Sequence, residues 1–293
     1  MALSKRQFGP SIEDSSIYLD TSQSEVIDAT AGDEALLIPG EEFVLEASYE
    51  RLGPDLLLSG EGHSVFVQGY FTHEEAPDLY TSDGSAVVRG SIATRLAGPA
   101  TPGQFAQAEA IPGQAPIGIV DNSEGRVFLS RLDGTNVLAE SGTPVFLGDI
   151  VETEGGSSIG ITFVDNSTFA LGESGRMIID ELVYDPVDGT GESAFNVLKG
   201  VFSFVSGDIA DTGDDAMMVN TPVLSIGVRG TTVAGRAAAE GSANTVTLLP
   251  DASGTIGAIA VSNEAGVQVM SQPFATTTVT SLFEAPPIPT ALP

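Results

Sequence analysis

Apolar residues in this chain recur at every second position over short runs, and each run stops within a few residues at Gly, Asp-Gly or Asn-Ser. A period of two is the signature of a half-buried strand, because successive side chains point to opposite faces. Ile159, Ile161 and Phe163 share one face, with Gly160, Thr162 and Val164 on the other. Phe202 and Phe204 alternate with Val201, Ser203 and Val205, and Val65 and Val67 alternate with Phe66. Asp83-Gly84 and Asp133-Gly134 are hairpin signals, because Gly accepts positive φ without steric cost. Many short strands with turns between them specify an all-β chain, as a sandwich, a barrel-like or a solenoid-like fold. No fixed-period repeat is visible, so a regular solenoid is not established.

Charge narrows the partners. The 293 residues carry 40 acidic against 11 basic side chains, a net charge of −29. Phosphate backbones are held by clustered cations, and the only lysines are Lys5 and Lys199. Nucleic acid and anionic lipid surfaces are therefore excluded as partners. Cysteine is absent, which removes disulfides, thiol chemistry and thiolate metal sites. No apolar run approaches the ~20 residues of a membrane-spanning helix. The opening MALSKRQFGP lacks the apolar stretch of a secretory signal. The expected location is extracellular or on the outer cell surface, reached without an N-terminal signal, with the periplasm as second choice.

Composition divides the chain. Residues 1–35 are polar and aperiodic and read as a flexible leader. Residues 36–96 read as a small β-unit, residues 97–116 as a Pro/Gly/Ala linker, residues 117–270 as a larger β-domain and residues 271–293 as a Thr/Pro-rich tail.

Within the larger domain stand Gly148-Asp149-Ile150, Gly155-Gly156, Asp165-Asn166-Ser167 and then Thr221-Pro222 through Gly227-Val228-Arg229-Gly230-Thr231. In this order the stretch 117–250 resembles the FecR domain family. The best-known FecR proteins regulate iron-uptake sigma factors. They carry a helical cytoplasmic domain and one membrane span before a periplasmic FecR region, and this sequence shows neither. A second group places the domain near the start of long, type I-secreted adhesins, and YERLGPDLLLSGEGHSVFVQGYF is similar to the prefix module of such proteins. The resemblance therefore implies a non-enzymatic bacterial surface or secreted protein that binds or anchors. The alternative is a soluble FecR-type sensor that binds a partner protein in envelope signalling.

The chemistry-bearing residues are sparse. Thr221, Pro222, Gly227, Arg229, Gly230 and Thr231 form the densest motif. Pro222 reads as the entry to an edge strand. Arg229, flanked by Gly227 and Gly230, reads as a structural tie or a partner contact. His63 and His73 match no metal-ligand spacing and read as solvated loop residues. The oxygen-rich stretches 165–167, 185–189 and 207–215 read as turns, with Ca²⁺ binding the weaker alternative, since none has the ligand spacing of a helix-loop-helix calcium site. Asp180-Glu181 is the best acid/base pair in a chain that offers no catalytic constellation. The expected partner is a protein or envelope component, with no cofactor, and self-association through strand edges is open.

Overall fold

The computed structural model describes residues 24–29, 35–40, 43–60, 63–73, 75–82, 87–98, 115–213, 215–239 and 241–291. The first unit holds β1 (Ser24–Asp28), β2 (Ala35–Ile38), α1 (Phe43–Glu46), β3 (Ser48–Leu52), β4 (Asp55–Gly60), β5 (His63–Gln68), β6 (Asp78–Thr81), β7 (Val87–Val88) and α2 (Gly90–Leu96). One sheet runs β1-β5-β4-β3 and a second runs β2-β6-β7. Leu56, Leu58, Val65 and Val67 are fully buried, as the alternation requires. Two tyrosines tie the unit together. Tyr49 donates to the Val44 carbonyl and Tyr70 to that of Pro77, and burial pushes both phenols up.

Three expectations need correction here. Ser24–Asp28, inside the stretch read as leader, is a strand that pairs in parallel with β5. SIATRL, read as part of the β-unit, is helical: Ile92, Ala93 and Leu96 lie on one face and are buried together. His63 and His73 are not solvated loop residues, since His63 lies in β5 edge-on to Phe43 and His73 Nε2 is 2.7 Å from the Ala29 carbonyl oxygen. The Asp83-Gly84 turn lies outside the described residues, but β6 and β7 on either side of it pair antiparallel.

The larger domain contains β8 (Gly118–Glu124), β9 (Val127–Ser130), β10 (Asn136–Leu138), β11 (Pro144–Val145), β12 (Ile150–Thr153), β13 (Ser158–Phe163), β14 (Thr168–Leu171), β15 (Arg176–Asp185) and β16 (Thr190–Val205). It continues through β17 (Met217–Asn220), β18 (Ser225–Arg229), β19 (Thr232–Ala237), β20 (Asn244–Leu249), β21 (Ala258–Asn263), β22 (Gly266–Met270), β23 (Ala275–Val279) and β24 (Thr290–Ala291). β23 and β24 fall in the stretch read as tail. Thr277 and Val279 are buried there, so the last Thr run closes the core.

These strands form two layers. One, the capped sheet, runs β10-β9-β12-β15-β16-β17-β18-β21-β22. The other, the open sheet, runs β11-β8-β13-β14-β16-β19-β20-β23-β24. β16 belongs to both: Ser193–Asn196 pair with β17 in the capped sheet, and Gly200–Val205 pair with β19 in the open one. The paired strands therefore close into one curled system. The crossing point is Gly200, at φ 110, where a Cβ would stand 2.6 Å from the Gly175 Cα. Only glycine tolerates that combination. Elsewhere hairpins alternate between layers, β17–β18 capped, β19–β20 open, β21–β22 capped. The Gly155-Gly156 turn carries the chain from β12 in the capped sheet to β13 in the open one.

Five phenylalanines fill the space between the layers. Phe163 and Phe195 rings lie 5.1 Å apart, Phe169 is 5.4 Å from Phe195, and Phe202 and Phe204 stack on Phe169 at 6.0 Å. Phe202 stands opposite Gly235 of β19, where a Cβ would come within 2.5 Å of the ring.

The first unit caps the second by packing on the outward face of the capped sheet. Ile150, Ile178 and Leu198 face outward there and join the core of the first unit. Around this apolar patch, Arg95 pairs with Asp180, Lys199 Nζ meets Glu46 at 2.7 Å and Arg176 donates to the Ala47 carbonyl at 3.2 Å.

Gly148-Asp149-Ile150 sits at the margin of this sheet. Asp149 is buried, accepts from the Phe146 N–H at 2.8 Å and pairs with Arg131, whose guanidinium lies 4.8 Å from the Phe146 ring centre. Burial pushes the Asp149 carboxyl up to about 6, with the Phe146 N–H and Arg131 pulling the other way.

Two predictions follow from this packing. Gly235→Val forces Phe202 out of its stack and lowers stability by about 1–3 kcal/mol, read by urea denaturation with the slope unchanged. An acid whose folded-state value is raised binds its proton more tightly in the folded protein, so its contribution to stability declines as pH rises from about 4 to about 6. Thermal melts of wild type and Asp149→Asn across that window are expected to converge toward, or cross in favour of, the variant at the upper end.

Candidate functional site

The Thr221–Thr231 motif builds a hairpin and a layer change. Thr221 to Leu224 form the β17–β18 turn, with the Thr221 N–H bonded to the Leu224 carbonyl at 2.8 Å. The Leu224 N–H donates to Thr221 Oγ1 at 3.2 Å. Pro222 therefore stands inside a turn, buried with Val223 and Leu224, and does not open an edge strand; β18, which follows it, is paired on both sides. After β18, Gly230 at φ 57 and the buried Thr231 move the chain to the open sheet. Thr231 N–H donates to Ser206 Oγ at 2.7 Å, and its hydroxyl to the Leu249 carbonyl at 3.1 Å. The backbone is closely approached here: a Cβ on Gly257 would lie 2.1 Å from the carbonyl oxygens of Arg229 and Gly230. Arg229 itself is exposed at the end of β18. At Gly227 the missing side chain leaves room for the Asp215 carboxylate, 2.3 Å from where a Cβ would stand.

Thr221 and Pro222 also line a cleft of about 530 Å³ between the two units; Gly227, Arg229, Gly230 and Thr231 do not. Strand register sets its floor. Asn196, Asn220, Ser225 and Ser262 stand opposite one another across β16, β17, β18 and β21. Asn220 Nδ2 donates to Asn196 Oδ1 at 3.3 Å, and Asn196 Nδ2 has no partner. The first unit supplies one wall, with Asp78, Tyr80, Val87, Arg89 and Ile92; Asn263, Glu264 and Leu282 supply the other. Asp78 is already engaged, accepting from the Gly90 N–H at 2.8 Å. Burial, then Asp78 and Glu264, raise the Tyr80 phenol, and Arg89 offsets them in part. None of these floor residues was singled out from sequence. The available signal was a lone Asn in an apolar run, FNVL.

The second surface is the outward face of the open sheet. Thr162, Thr168, Val205, Thr232 and Leu249 form one cross-strand row, and Gly160, Ala170, Ser203, Ala234, Thr247 and Thr276 the next. Hydroxyls in neighbouring strands pair across the face, Thr247 with Thr276 at 2.9 Å and Thr245 with Thr278 at 3.3 Å. Along β13, β14, the second half of β16, β19, β20 and β23, the outward residues include a single charge, Arg236, and no carboxylate. At the sheet's margin β8 adds the carboxylates Asp121, which accepts from the Thr162 hydroxyl, and Glu124, so in a chain of net charge −29 it is the central strands of this face that are poor in charge.

The remaining candidates are structural. Asp180 is paired with Arg95. Asp185 Oδ1 accepts from the Val187 N–H at 2.8 Å, and Asp165 Oδ1 from the Ser167 hydroxyl at 2.6 Å, both closing their own turns. Among the described residues no group of three or more His, Asp or Glu side chains is placed to hold a metal ion, and no helix is long and apolar enough to cross a membrane.

No curated protein matches the chain. Two solved structures of a candidate anti-sigma factor from Parabacteroides distasonis resemble it at 16% identity and a TM-score of 0.34, over 45% of this chain. The chain spans about half of that protein, 54% of its length. Residues 149–250 match the model of the family described as FecR protein, a stretch that holds the Gly155-Gly156 turn, the Asp165-Asn166-Ser167 turn and the Thr221–Thr231 signature.

Proposed function

We propose that this chain is a FecR-type regulatory module of the cell envelope, without catalysis, that binds a partner protein on the outward face of its open sheet. The observation that carries the reading is the low charge of the central strands of that face, where Arg236 is the single charged side chain and the carboxylates Asp121 and Glu124 are confined to β8 at one margin. Forty carboxylates are spread over the chain, and the central strands of this face carry none outward. Protein interfaces are depleted of charge at their centres, and desolvating an unpaired carboxylate there costs several kcal/mol. A flat face of Thr, Ser, Ala and Val can be dehydrated at low cost and offers hydroxyls to a polar rim. The match to the FecR model supports the regulatory part, because the best-known members of that family are envelope-side regulators of partner proteins. The adhesin-type anchoring reading draws no support from the comparisons.

The test is capture from the native cell. Tagged protein is expected to fractionate with the envelope and to co-purify with one defined partner by cross-linking and mass spectrometry. Ser203→Asp with Thr247→Asp puts two carboxylates at the centre of the face and is expected to weaken that complex at least about tenfold, with melting temperature held within a few degrees. Val187→Asp, on a side chain 90% exposed in a distant loop, leaves the complex intact. Recovery only from the cytosol, or a complex indifferent to the double variant, overturns the proposal.

A further inference from the structure

We propose that the cleft between the first unit and the capped sheet is a binding site for a short, neutral saccharide. At about 530 Å³ it falls within the range of sites that enclose small ligands, and it lies where such sites concentrate, between two packed units.

The floor specifies the ligand's chemistry. Asn196, Asn220, Ser225 and Ser262 form a ladder of amides and hydroxyls, one per strand, about 4.8 Å apart. Each group can both donate and accept a hydrogen bond. A sugar's hydroxyls have the same dual character, so a saccharide can match the ladder along its length. The floor also does not satisfy itself. Asn196 is 95% buried, from an exposure of 5%, and its Nδ2 has no partner. A buried unmatched donor is costly. An acceptor oxygen seated over the Asn196–Asn220 pair would let the two amides rotate so that every N–H is used.

The walls exclude the rivals. Among the described residues Arg89 is the one cation lining the cleft, set against Asp78 and Glu264, so phosphate or carboxylate ligands are disfavoured. A polar floor disfavours lipid. An extended peptide takes much of its affinity from the main chain of an open strand edge. Here β16, β17, β18 and β21 are each paired on both sides, which leaves the floor to side chains. Tyr80, Val87 and Leu282 supply apolar surface for the faces of a sugar ring. The cleft lies on the capped sheet, so this inference stands or falls apart from the docking face on the other layer.

The experiment is amide-detected NMR titration of the full chain with chitobiose, maltose and cellobiose at millimolar concentration. At least one disaccharide is expected to give saturable shifts centred on the side-chain amides of Asn196 and Asn220. Ser262→Leu fills the floor and is expected to weaken binding at least about tenfold. Ser262→Ala removes one hydroxyl, keeps the space open and weakens binding by a smaller factor, so a folding defect in the first variant does not blur the result. The proposal is overturned by no saturable shift with any of the three sugars, by shifts that map elsewhere, by binding that survives Ser262→Leu, or by saturation with a neutral hexapeptide of Ala, Thr and Val where the sugars fail.

Discussion

The structure depends on one strand that serves two sheets. β16 hydrogen-bonds in the capped layer, turns at Gly200 and continues in the open layer. Its side chains Phe195, Phe202 and Phe204 therefore enter the shared core from both sides and gather Phe163 and Phe169 around them. Burying a ring of this size stabilises by a few kcal/mol, and aromatic contacts add a smaller increment. Loosening the crossing point would separate the layers as well as open a cavity, because the same residues define both.

The two layers are used differently. One outward face is covered: Ile150, Ile178 and Leu198 accept the first unit, and ion pairs at Asp180 and Lys199 rim the contact. Where the first unit ends, the edge of its footprint becomes the wall of the cleft, through Tyr80, Arg89 and Ile92. The other face carries rows of Thr, Ser, Ala and Val and almost no charge. A protein so acidic can keep a large neutral area only by sending its carboxylates to the turns and to the capped side. In the proposed role, approach to that surface is set by shape and dehydration, with long-range repulsion pushed to the margins.

Legibility in the sequence followed the range of the interaction. The alternation at Ile159–Phe163 and Phe202–Phe204 is local, and the strands lie where it places them. Asp133-Gly134 makes the β9–β10 reversal for the same reason. The helix at Gly90–Leu96 was misread because Ile92, Ala93 and Leu96 form a helical stripe too short to stand out beside β-rich neighbours, and packing on the capped sheet selects it. The sequence puts Pro222 at the entry to an edge strand, whereas it sits in a turn, since a missing N–H is tolerated at either place and only the pairing of β18 distinguishes them.

The amino-acid sequence by itself determined the all-β class and the strands and turns of the stretch that matches the FecR model, because each rests on local periodicity or backbone preference. Only the tertiary structure decided which hairpin joins which layer, that β16 is shared, that Asn196 meets Asn220, Ser225 and Ser262 across four strands, and that the central strands of one face are poor in charge. Those features arise from pairing between residues far apart in the chain. A strand's own alternation says which side chains point the same way, and says nothing about the neighbour they will meet.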